Sequence, residues 1–212
     1  MSRDRIYAQD HPELNGFAFD AAVARVFPDM IKRSVPGYTT IIPMIGVISE
    51  HYAQDNSQLY DLGCSLGASL LAMRNGVKAK GCKVVGIDNA QAMLDQCQTY
   101  VDLDSDDLDS KDEPRKVPVE LHLGDITNFD YQSASVVTLN FTLQFIAPEK
   151  RQALIQTLFD AMLPGAALIL SEKIRFEGPD QALQEQLHWD FKRANGYSEL
   201  EISQKRSALE NV

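Results

Sequence analysis

The chain has 212 residues, of which 44% are hydrophobic, and a formal net charge of -10. This length suits one α/β domain with a short extension, and the negative charge argues against tight direct binding to nucleic acid, which rests largely on lysine and arginine. No apolar run approaches the roughly 20 residues of a membrane span and no signal-type segment opens the chain, so we expect a cytoplasmic protein.

Two predicted helices open the chain and precede any strand. They cover residues 19–31 and 40–51 and are joined by a turn that contains Pro36 and Gly37. Strands and helices then alternate, which is typical of a parallel sheet built from βαβ units. We therefore predict an N-terminal helical extension over residues 1–56 and one α/β domain over residues 57–212.

The α/β pattern predicts a mostly parallel sheet with helices on both faces. The fourth strand is apolar throughout, as a strand buried on both faces should be. Pro164 and Gly165 are expected to end the helix before the last strand. The predicted strands are 58–62, 83–88, 117–123, 134–139 and 166–171, and the helices are 66–74, 90–100, 148–163, 180–193 and one from Ser198 onward.

The turn after the first predicted strand is the first candidate ligand site. It runs from Asp61 to Gly67, contains Gly63, Cys64 and Ser65, and opens a helix. Small residues let the backbone approach a ligand there, and the start of a helix favours a negative group. A glycine-rich turn alone is weak evidence, but the carboxylate of Asp61 suits a ligand that carries an ammonium group.

Two further acidic residues follow the next two predicted strands. Asp88 ends the second strand, with Asn89 after it, and a carboxylate there can accept hydrogen bonds from both hydroxyls of a ribose. Asp125, followed by Ile126, comes after the third strand, where a carboxylate can accept from an adenine amino group. Because the carboxyl ends of parallel strands share one edge of the sheet, the three acids together predict a nucleoside site.

Two other kinds of ligand site fit the sequence less well. A dinucleotide site would favour G-x-G-x-x-G after the first strand, whereas the turn between Gly63 and Gly67 has no middle glycine. The three cysteines and four histidines are scattered without metal-ligand spacing, so we expect no metal site.

Six longer segments carry a more specific signal. They read FPDMI (27–31), RSVPGY (33–38), YDLGCSLGA (60–68), LNFTLQF (139–145), LSEK (170–173) and DFKRANGYSELEISQKRS (190–207). These segments resemble the carboxy-S-adenosyl-L-methionine synthase family, and the resemblance extends over nearly the whole chain from about Phe17. The first and last segments lie outside the generic fold, so they are the most specific part of the match.

The resemblance implies a Rossmann-like, S-adenosylmethionine-dependent methyltransferase fold with a different chemistry. Enzymes of that family convert S-adenosyl-L-methionine and prephenate to carboxy-S-adenosyl-L-methionine and phenylpyruvate. A separate enzyme then uses the product for the 5-oxyacetic acid modification of the tRNA wobble uridine. The resemblance thus implies a homodimeric transferase with prephenate as small-molecule partner and S-adenosyl-L-methionine, or its carboxylated form, as bound cofactor.

By position, the resemblance assigns ten residues to ligand binding. It identifies no catalytic acid or base, and no residue of the sequence is an evident one. The ten are Tyr38, Gly63, Cys64, Ser65, Asp88, Asn89, Asp125, Ile126, Asn140 and Arg206.

Two of these residues could have a purely structural role instead of binding a ligand. Asn140 ends the fourth strand, where a neutral amide can orient a ligand or simply cap the strand. Arg206 lies one turn after Ile202 and three residues before Leu209, on a helix that Ser198 is predicted to cap, which places it on the apolar side. A buried arginine pairs with an anion, which is either a ligand carboxylate or a nearby acidic side chain. The resemblance favours the ligand carboxylate.

The sequence departs from the usual patterns at two places. Ser65 stands where the commonest methyltransferase turn has a glycine, and the chain ends at Val212, whereas the family continues through two more strands. We therefore expect a sheet without the outer C-terminal strands. Two other functions remain open, a methyltransferase that acts on a small molecule and a non-catalytic S-adenosylmethionine-binding protein.

Overall fold

One parallel sheet of five strands organises the computed structural model, in the order β3-β2-β1-β4-β5. The structure describes residues 3–9, 18–106 and 117–208. The strands are β1 (Gln58–Leu62), β2 (Lys83–Asp88), β3 (Val119–Leu123), β4 (Ala134–Asn140) and β5 (Met162–Ser171).

Helices connect and flank these strands. In the described ranges, none of them is long and apolar enough to cross a membrane. They are α1 (Ala21–Ser34), α2 (Tyr38–Tyr52), α3 (Ala68–Gly76), α4 (Gln91–Asp106), α5 (Pro148–Ala161), α6 (Pro179–Ala194) and α7 (Glu199–Ala208), with short 3-10 turns at Ile126–Asn128 and Leu143–Phe145.

Both faces of the sheet are covered by helices because successive side chains of β1 point to opposite faces. Leu59 packs on one face with Leu70 of α3, and Tyr60 packs on the other with Leu154 of α5. All four side chains are almost fully buried. The predicted α/β class, with helices on both faces of the sheet, is confirmed.

The predicted bounds of β1 and β2 are confirmed, whereas the predicted junction between α5 and β5 is wrong. The helix ends at Ala161, and Pro164 and Gly165 lie inside β5 instead of before it. A residue that precedes proline is held in extended conformation, so Leu163 cannot continue the helix. Gly165 has a φ of 81°, and the pairing of β5 with β4 shifts register at this point.

The contacts within the chain divide it into two compact units. The sheet unit is Thr40–Glu172, and the terminal unit combines Met1–Thr39 with Lys173–Val212. In the terminal unit, α6 packs against α1 and α7. The boundary predicted after residue 56 separates a helical extension from the α/β domain, whereas these two units are defined by contacts. That boundary therefore stays a prediction.

The start of α7 confirms the predicted cap. The side chain of Ser198 accepts the backbone N–H of Glu201 at 3.3 Å, and the Glu201 carboxylate accepts the backbone N–H of Ser198 at 2.7 Å. This reciprocal pair is a capping box, which satisfies backbone donors that the first turn of a helix leaves free.

Candidate functional site

The strand order places a topological switch point between β1 and β4. The chain winds from β1 outward to β2 and β3, and then returns to β4 on the other side of β1. Open α/β sheets bind ligands outside the carboxyl ends of their strands at such a point. Eight of the ten predicted ligand residues lie in the sheet unit, at or just beyond the carboxyl ends of β1 to β4.

The turn after β1 is shaped by residues with positive φ. Gly63, Ser65 and Gly67 have φ angles of 69°, 50° and 83°. A Cβ atom on Gly63 would lie 2.5 Å from the Cγ2 atom of Thr142, which is too close for any real contact. The backbone N–H groups of Gly63 and Cys64 both donate to the carbonyl of Ile87, at 2.8 and 3.1 Å. The turn is therefore held tightly between β2 and the residues that follow β4.

Asp88 joins this turn to the end of β2. Its carboxylate accepts the backbone N–H of Ser65 at 2.8 Å and that of Ala90 at 2.9 Å. Burial raises the pKa of Asp88, and the hydrogen bonds from Ala90, Ser65 and Asn89 oppose that rise. The backbone N–H of Gly124 donates to the Asp88 carbonyl at 2.9 Å, which brings the end of β3 to the same place.

The residues after β3 present one exposed and one buried side chain. Asp125 is exposed and accepts both the backbone N–H and the hydroxyl of Thr127, each at 2.8 Å. Both hydrogen bonds lower the pKa of Asp125, and the one from the backbone N–H has the larger effect. The carboxylate of Asp125 is therefore charged at neutral pH. Ile126 is buried, and its carbonyl accepts the hydroxyl of Tyr131 at 2.6 Å.

Asp61 is a buried acid with an unused acceptor. The residue is 1% exposed, and its Oδ2 atom has no hydrogen-bond partner within residues 3–9, 18–106 and 117–208. Burial raises the pKa of Asp61 to about 7, a hydrogen bond from the backbone of Leu70 opposes the rise, and the charge of Asp88 adds to it. A buried polar atom without a partner is costly, so this oxygen is a candidate to meet a ligand cation.

A second unused acceptor lies on β4. The side-chain nitrogen of Asn140 donates to the hydroxyl of Ser69 at 3.1 Å, while its Oδ1 atom is buried without a partner in the described part of the chain. Asp61 pairs with Thr138 in the sheet, and Asn140 lies two residues further along β4. Side chains two residues apart share a face, so both unused oxygens lie on the same face of the sheet, on either side of the switch point.

Cys64 is a packing residue and not a nucleophile. A hydrogen bond with Cys97 and burial hold the pKa of the Cys64 thiol well above its usual value. The attacking form of cysteine is the thiolate, which this environment disfavours. We therefore expect Cys64 to contribute to the predicted ligand site only through its backbone.

The other two predicted ligand residues belong to the terminal unit. Tyr38 begins α2 and is half-buried. The prediction that Arg206 lies on the buried side of its helix is wrong, because its side chain is exposed and its guanidinium lies 5.1 Å from the ring centre of Trp189. Lys205 is buried instead, since its ammonium reaches Ser34 at 3.1 Å and Asp4 at 3.5 Å.

Sequence reasoning missed Thr142. Its hydroxyl donates to the carbonyl of Leu62 at 2.7 Å, and it is the side chain that a Cβ atom on Gly63 would strike. A threonine two residues beyond a buried strand carries no sequence pattern that distinguishes this role.

Comparison with known proteins agrees with this geometry. The family model of a methyltransferase domain matches residues 59–165. A carboxy-S-adenosyl-L-methionine synthase from Marinobacter nauticus is 59% identical over 99% of this chain and 80% of its own length. A synthase of the same name from Pseudomonas syringae is 54% identical over 99% of this chain and 83% of its own. The chain belongs to the carboxy-S-adenosyl-L-methionine synthase family.

Solved structures place this carboxy-S-adenosyl-L-methionine synthase family member among methyltransferase folds. An S-adenosylmethionine-bound amino pentose methyltransferase from Micromonospora echinaspora superposes with a TM-score of 0.52 at 20% identity, over 80% of this chain and 61% of that one. A structure from Methanococcus maripaludis, named for an S-adenosyl-L-methionine-dependent methyltransferase, gives 0.55 at 14% identity, over 94% and 87%. These likenesses concern the fold, and the predicted Rossmann-like fold is confirmed.

Proposed function

We propose that this chain converts S-adenosyl-L-methionine and prephenate to carboxy-S-adenosyl-L-methionine and phenylpyruvate. The observation that carries the proposal is the identity of 51–59% with synthases of that name over nearly the full chain. We further propose that the enzyme works in the cytoplasm as a homodimer and supplies its product to a separate tRNA-modifying enzyme.

The residues at the switch point fit S-adenosyl-L-methionine. Asp61 has a buried oxygen without a partner, and an ammonium group is the ligand cation that would satisfy it. Asn140 offers a second unpartnered oxygen, which suits the neighbourhood of a positive sulfur because a neutral amide presents a dipole without a competing charge. We propose that Asp61 meets the amino group and that Asn140 lies near the sulfonium.

The nucleoside part of the ligand would lie against β2 and β3. A carboxylate has about four lone-pair positions, so Asp88 can keep its two backbone N–H groups and still accept ribose hydroxyls. We propose that Asp125 accepts from the adenine amino group, that the backbone of Ile126 meets a ring nitrogen, and that Asn89 lines the ribose pocket. The glycine-rich turn, through Gly63, Cys64 and Ser65, would border the ligand through its backbone.

The proposed reaction balances without a catalytic base from the protein. Prephenate loses carbon dioxide and hydroxide as its ring becomes aromatic, which leaves phenylpyruvate. The S-methyl group exchanges one hydrogen for the carbon dioxide, and the released hydroxide takes up that proton as water. The chain's own share is to orient the two substrates, to exclude water and to stabilise carboxylates with cations.

Arg206 and Tyr38 have proposed roles toward the ligand's carboxylates. A guanidinium binds a carboxylate through two parallel hydrogen bonds, a geometry that an ammonium cannot reproduce. We propose that Arg206 binds the carboxyl group that distinguishes the product from S-adenosyl-L-methionine. Tyr38 is proposed as a neighbouring hydrogen-bond donor.

Mass spectrometry of the nucleoside product tests the reaction. The purified protein is incubated with S-adenosyl-L-methionine in the presence and absence of prephenate. We expect a product heavier by one carbon dioxide, formed together with phenylpyruvate and only when prephenate is present. Formation of S-adenosylhomocysteine with a methylated small molecule would identify a methyltransferase instead, and unchanged ligand would identify a binding protein.

A further inference from the structure

Arg206 is an exposed arginine whose guanidinium lies over an aromatic ring. The central carbon of the guanidinium is 5.1 Å from the ring centre of Trp189. This distance is within the roughly 6 Å at which a cation and an aromatic ring attract each other, and tryptophan gives the strongest attraction. Arg206 belongs to α7 and Trp189 to α6, so the contact joins two helices of the terminal unit.

Arg206 also differs from other arginines of the terminal unit in its partners. The Nη1 atom of Arg33 lies 3.0 Å from the carboxylate of Asp29. The Nη1 atom of Arg193 lies 2.6 Å from that of Asp190. Arg206 has neither an ion pair nor a hydrogen bond to any residue that the structure describes. Its N–H donors are therefore available to a carboxylate, which a guanidinium binds through two parallel hydrogen bonds.

Ion pairs fix the corner between α6 and α7. Arg193, near the end of α6, donates through Nε and Nη2 to both carboxylate oxygens of Glu199 in the first turn of α7. Its Nη1 atom donates to Asp190, the neighbour of Trp189 in the chain. A fork that binds one carboxylate through two N–H groups restrains the direction of both partners. The position of Trp189 relative to α7 is therefore defined by more than the contact with Arg206.

Contacts with the N-terminal segment fix another side of α7. The side-chain nitrogen of Gln204 donates to the carbonyl of Tyr7 at 3.1 Å, and the ammonium of Lys205 lies 3.5 Å from the carboxylate of Asp4. Gln204 and Lys205 are buried, whereas Arg206 is exposed. These buried contacts oppose rotation of α7 about its axis, so they determine the direction in which the Arg206 side chain leaves the helix.

We propose that Trp189 is a positioning residue that orients the guanidinium of Arg206 for the added carboxylate of carboxy-S-adenosyl-L-methionine. This proposal rests on the role proposed above for Arg206. An arginine side chain has many rotamers, and a ligand that must order it loses affinity. A guanidinium on an aromatic face is restricted in orientation but keeps the N–H donors in its own plane for other partners. Trp189 should therefore favour the carboxylated ligand over S-adenosyl-L-methionine.

Calorimetric titration of both ligands into Trp189→Leu and Trp189→Phe tests this role. Without the ring, we expect the affinity for carboxy-S-adenosyl-L-methionine to fall by about three- to tenfold and that for S-adenosyl-L-methionine by less than about twofold. Trp189→Phe keeps a ring that attracts cations less strongly, so it should lie between wild type and Trp189→Leu. Leu187→Ala, which changes an exposed residue of α6, is the matched control and should leave both affinities unchanged.

Two further measurements distinguish this role from a structural one. If Trp189 acts through Arg206, Trp189→Leu should not lower the ratio of the two affinities further in a protein that already carries Arg206→Leu. Trp189 is the only tryptophan of the chain, so its fluorescence reports on this contact even if the Trp189 variants misfold. Carboxy-S-adenosyl-L-methionine should change the wild-type emission more than S-adenosyl-L-methionine does, and Arg206→Leu should abolish this difference.

Two results would overturn the proposal. The first is an equal loss of affinity for both ligands in Trp189→Leu, which would make Trp189 a structural residue. The second is an equal change of wild-type emission with both ligands, which would show that the added carboxylate leaves the contact between Trp189 and Arg206 unaffected.

Only binding is measured in these experiments, so their outcome is separate from that of the reaction. A preference for the carboxylated ligand that requires both residues, in a protein that forms no carboxylated product, would support the role of Trp189 and contradict only the proposed reaction. A preference that Arg206→Leu abolishes but Trp189→Leu leaves intact would refute this proposal and support the assignment of Arg206. A preference that neither variant changes would refute both.

Discussion

The carboxylate of Asp88 accepts the backbone N–H of Ser65 at 2.8 Å. This hydrogen bond ties the end of β2 to the turn after β1, so two parts of the proposed nucleoside site are fixed to each other before any ligand binds. A second bond, from the N–H of Ala90, orients the same carboxylate at 2.9 Å. Preorganised acceptors of this kind reduce the ordering cost of binding.

Replacement of Asp88 by Ala should weaken S-adenosyl-L-methionine binding by about 1.5–3 kcal/mol, the usual value for a hydrogen bond to a charged group. Asp88→Asn keeps one acceptor and should fall between wild type and Asp88→Ala. Isothermal titration calorimetry measures both, and Asp95→Ala removes an exposed carboxylate of α4 as the control. Unchanged affinity in a folded Asp88→Ala protein would refute the ribose assignment.

Gly63→Ala should destabilise the protein by at least about 1 kcal/mol, because it combines a positive φ with a new contact to Thr142. Gly124→Ala is the matched control, since a Cβ atom at Gly124 would have nothing within 4 Å. Urea unfolding of the two variants measures the difference. Equal stability of both would show that the turn relaxes without cost.

The raised pKa of Asp61 makes stability depend on pH in a definite direction. An unfolded aspartate titrates at about pH 4, whereas burial raises the pKa of Asp61 in the folded protein to about 7. Between these values the folded state holds a proton that the unfolded state has released. The free energy of unfolding therefore falls as pH rises through this window and levels off above it.

Asp61→Asn removes this titration, so we expect the stability of wild type relative to the variant to fall between pH 4.5 and pH 8. A shift of this size corresponds to roughly 2–4 kcal/mol. Denaturant unfolding of both proteins at the two pH values gives the difference, in which the other titrating groups largely cancel. A difference that does not change with pH would mean that Asp61 is ionised throughout.

Arg206→Leu should reduce the affinity for carboxy-S-adenosyl-L-methionine far more than that for S-adenosyl-L-methionine, because only the former has the extra carboxylate. Arg206→Lys should restore part of the loss, since an ammonium lacks the bidentate geometry. Titration of both ligands, with circular dichroism as a check on folding, measures the effect. Arg175→Leu controls for the loss of an exposed arginine. An equal loss for both ligands would make Arg206 a structural residue, and the methyltransferase would then be the better interpretation.

A protein with a net charge of -10 should not form a tight complex with tRNA at physiological salt, because too few cations are present to displace the phosphate counterions. A gel-shift titration of unmodified tRNA should show no complex at submicromolar protein. A complex that survives physiological salt would favour a tRNA methyltransferase instead.

The fold was predictable because its signals are local. The apolar runs of β1 and β2 begin and end where the sequence pattern does, and the alternation of strands and helices determines a parallel sheet. The junction of α5 and β5 was not predictable in the same way. Gly165 is read as a helix terminator in the sequence, but in the structure it lies inside a strand whose register shifts against β4.

The site residues that follow strand ends could be predicted from the sequence. Those whose burial depends on contacts with distant parts of the chain could not. Asp88 and Asp125 are placed by the strands that precede them. Whether Lys205 or Arg206 of α7 is buried depends on Asp4, which lies 201 residues from Lys205 in the chain and meets it only in the folded unit. No local sequence pattern predicts a contact between residues so far apart in the chain.

The position of β4 beside β1 has a consequence for protein synthesis. Asn140 and Ser69 meet across the switch point although they are 71 residues apart in the chain. A ribosome that has completed only β1 to β3 has made the turn after β1 and the strand ends that carry Asp88 and Asp125, but the site lacks Asn140 until β4 is translated and paired. Ligand in the cell therefore stabilises the finished fold, which carries the complete site, more than a nascent chain that lacks β4.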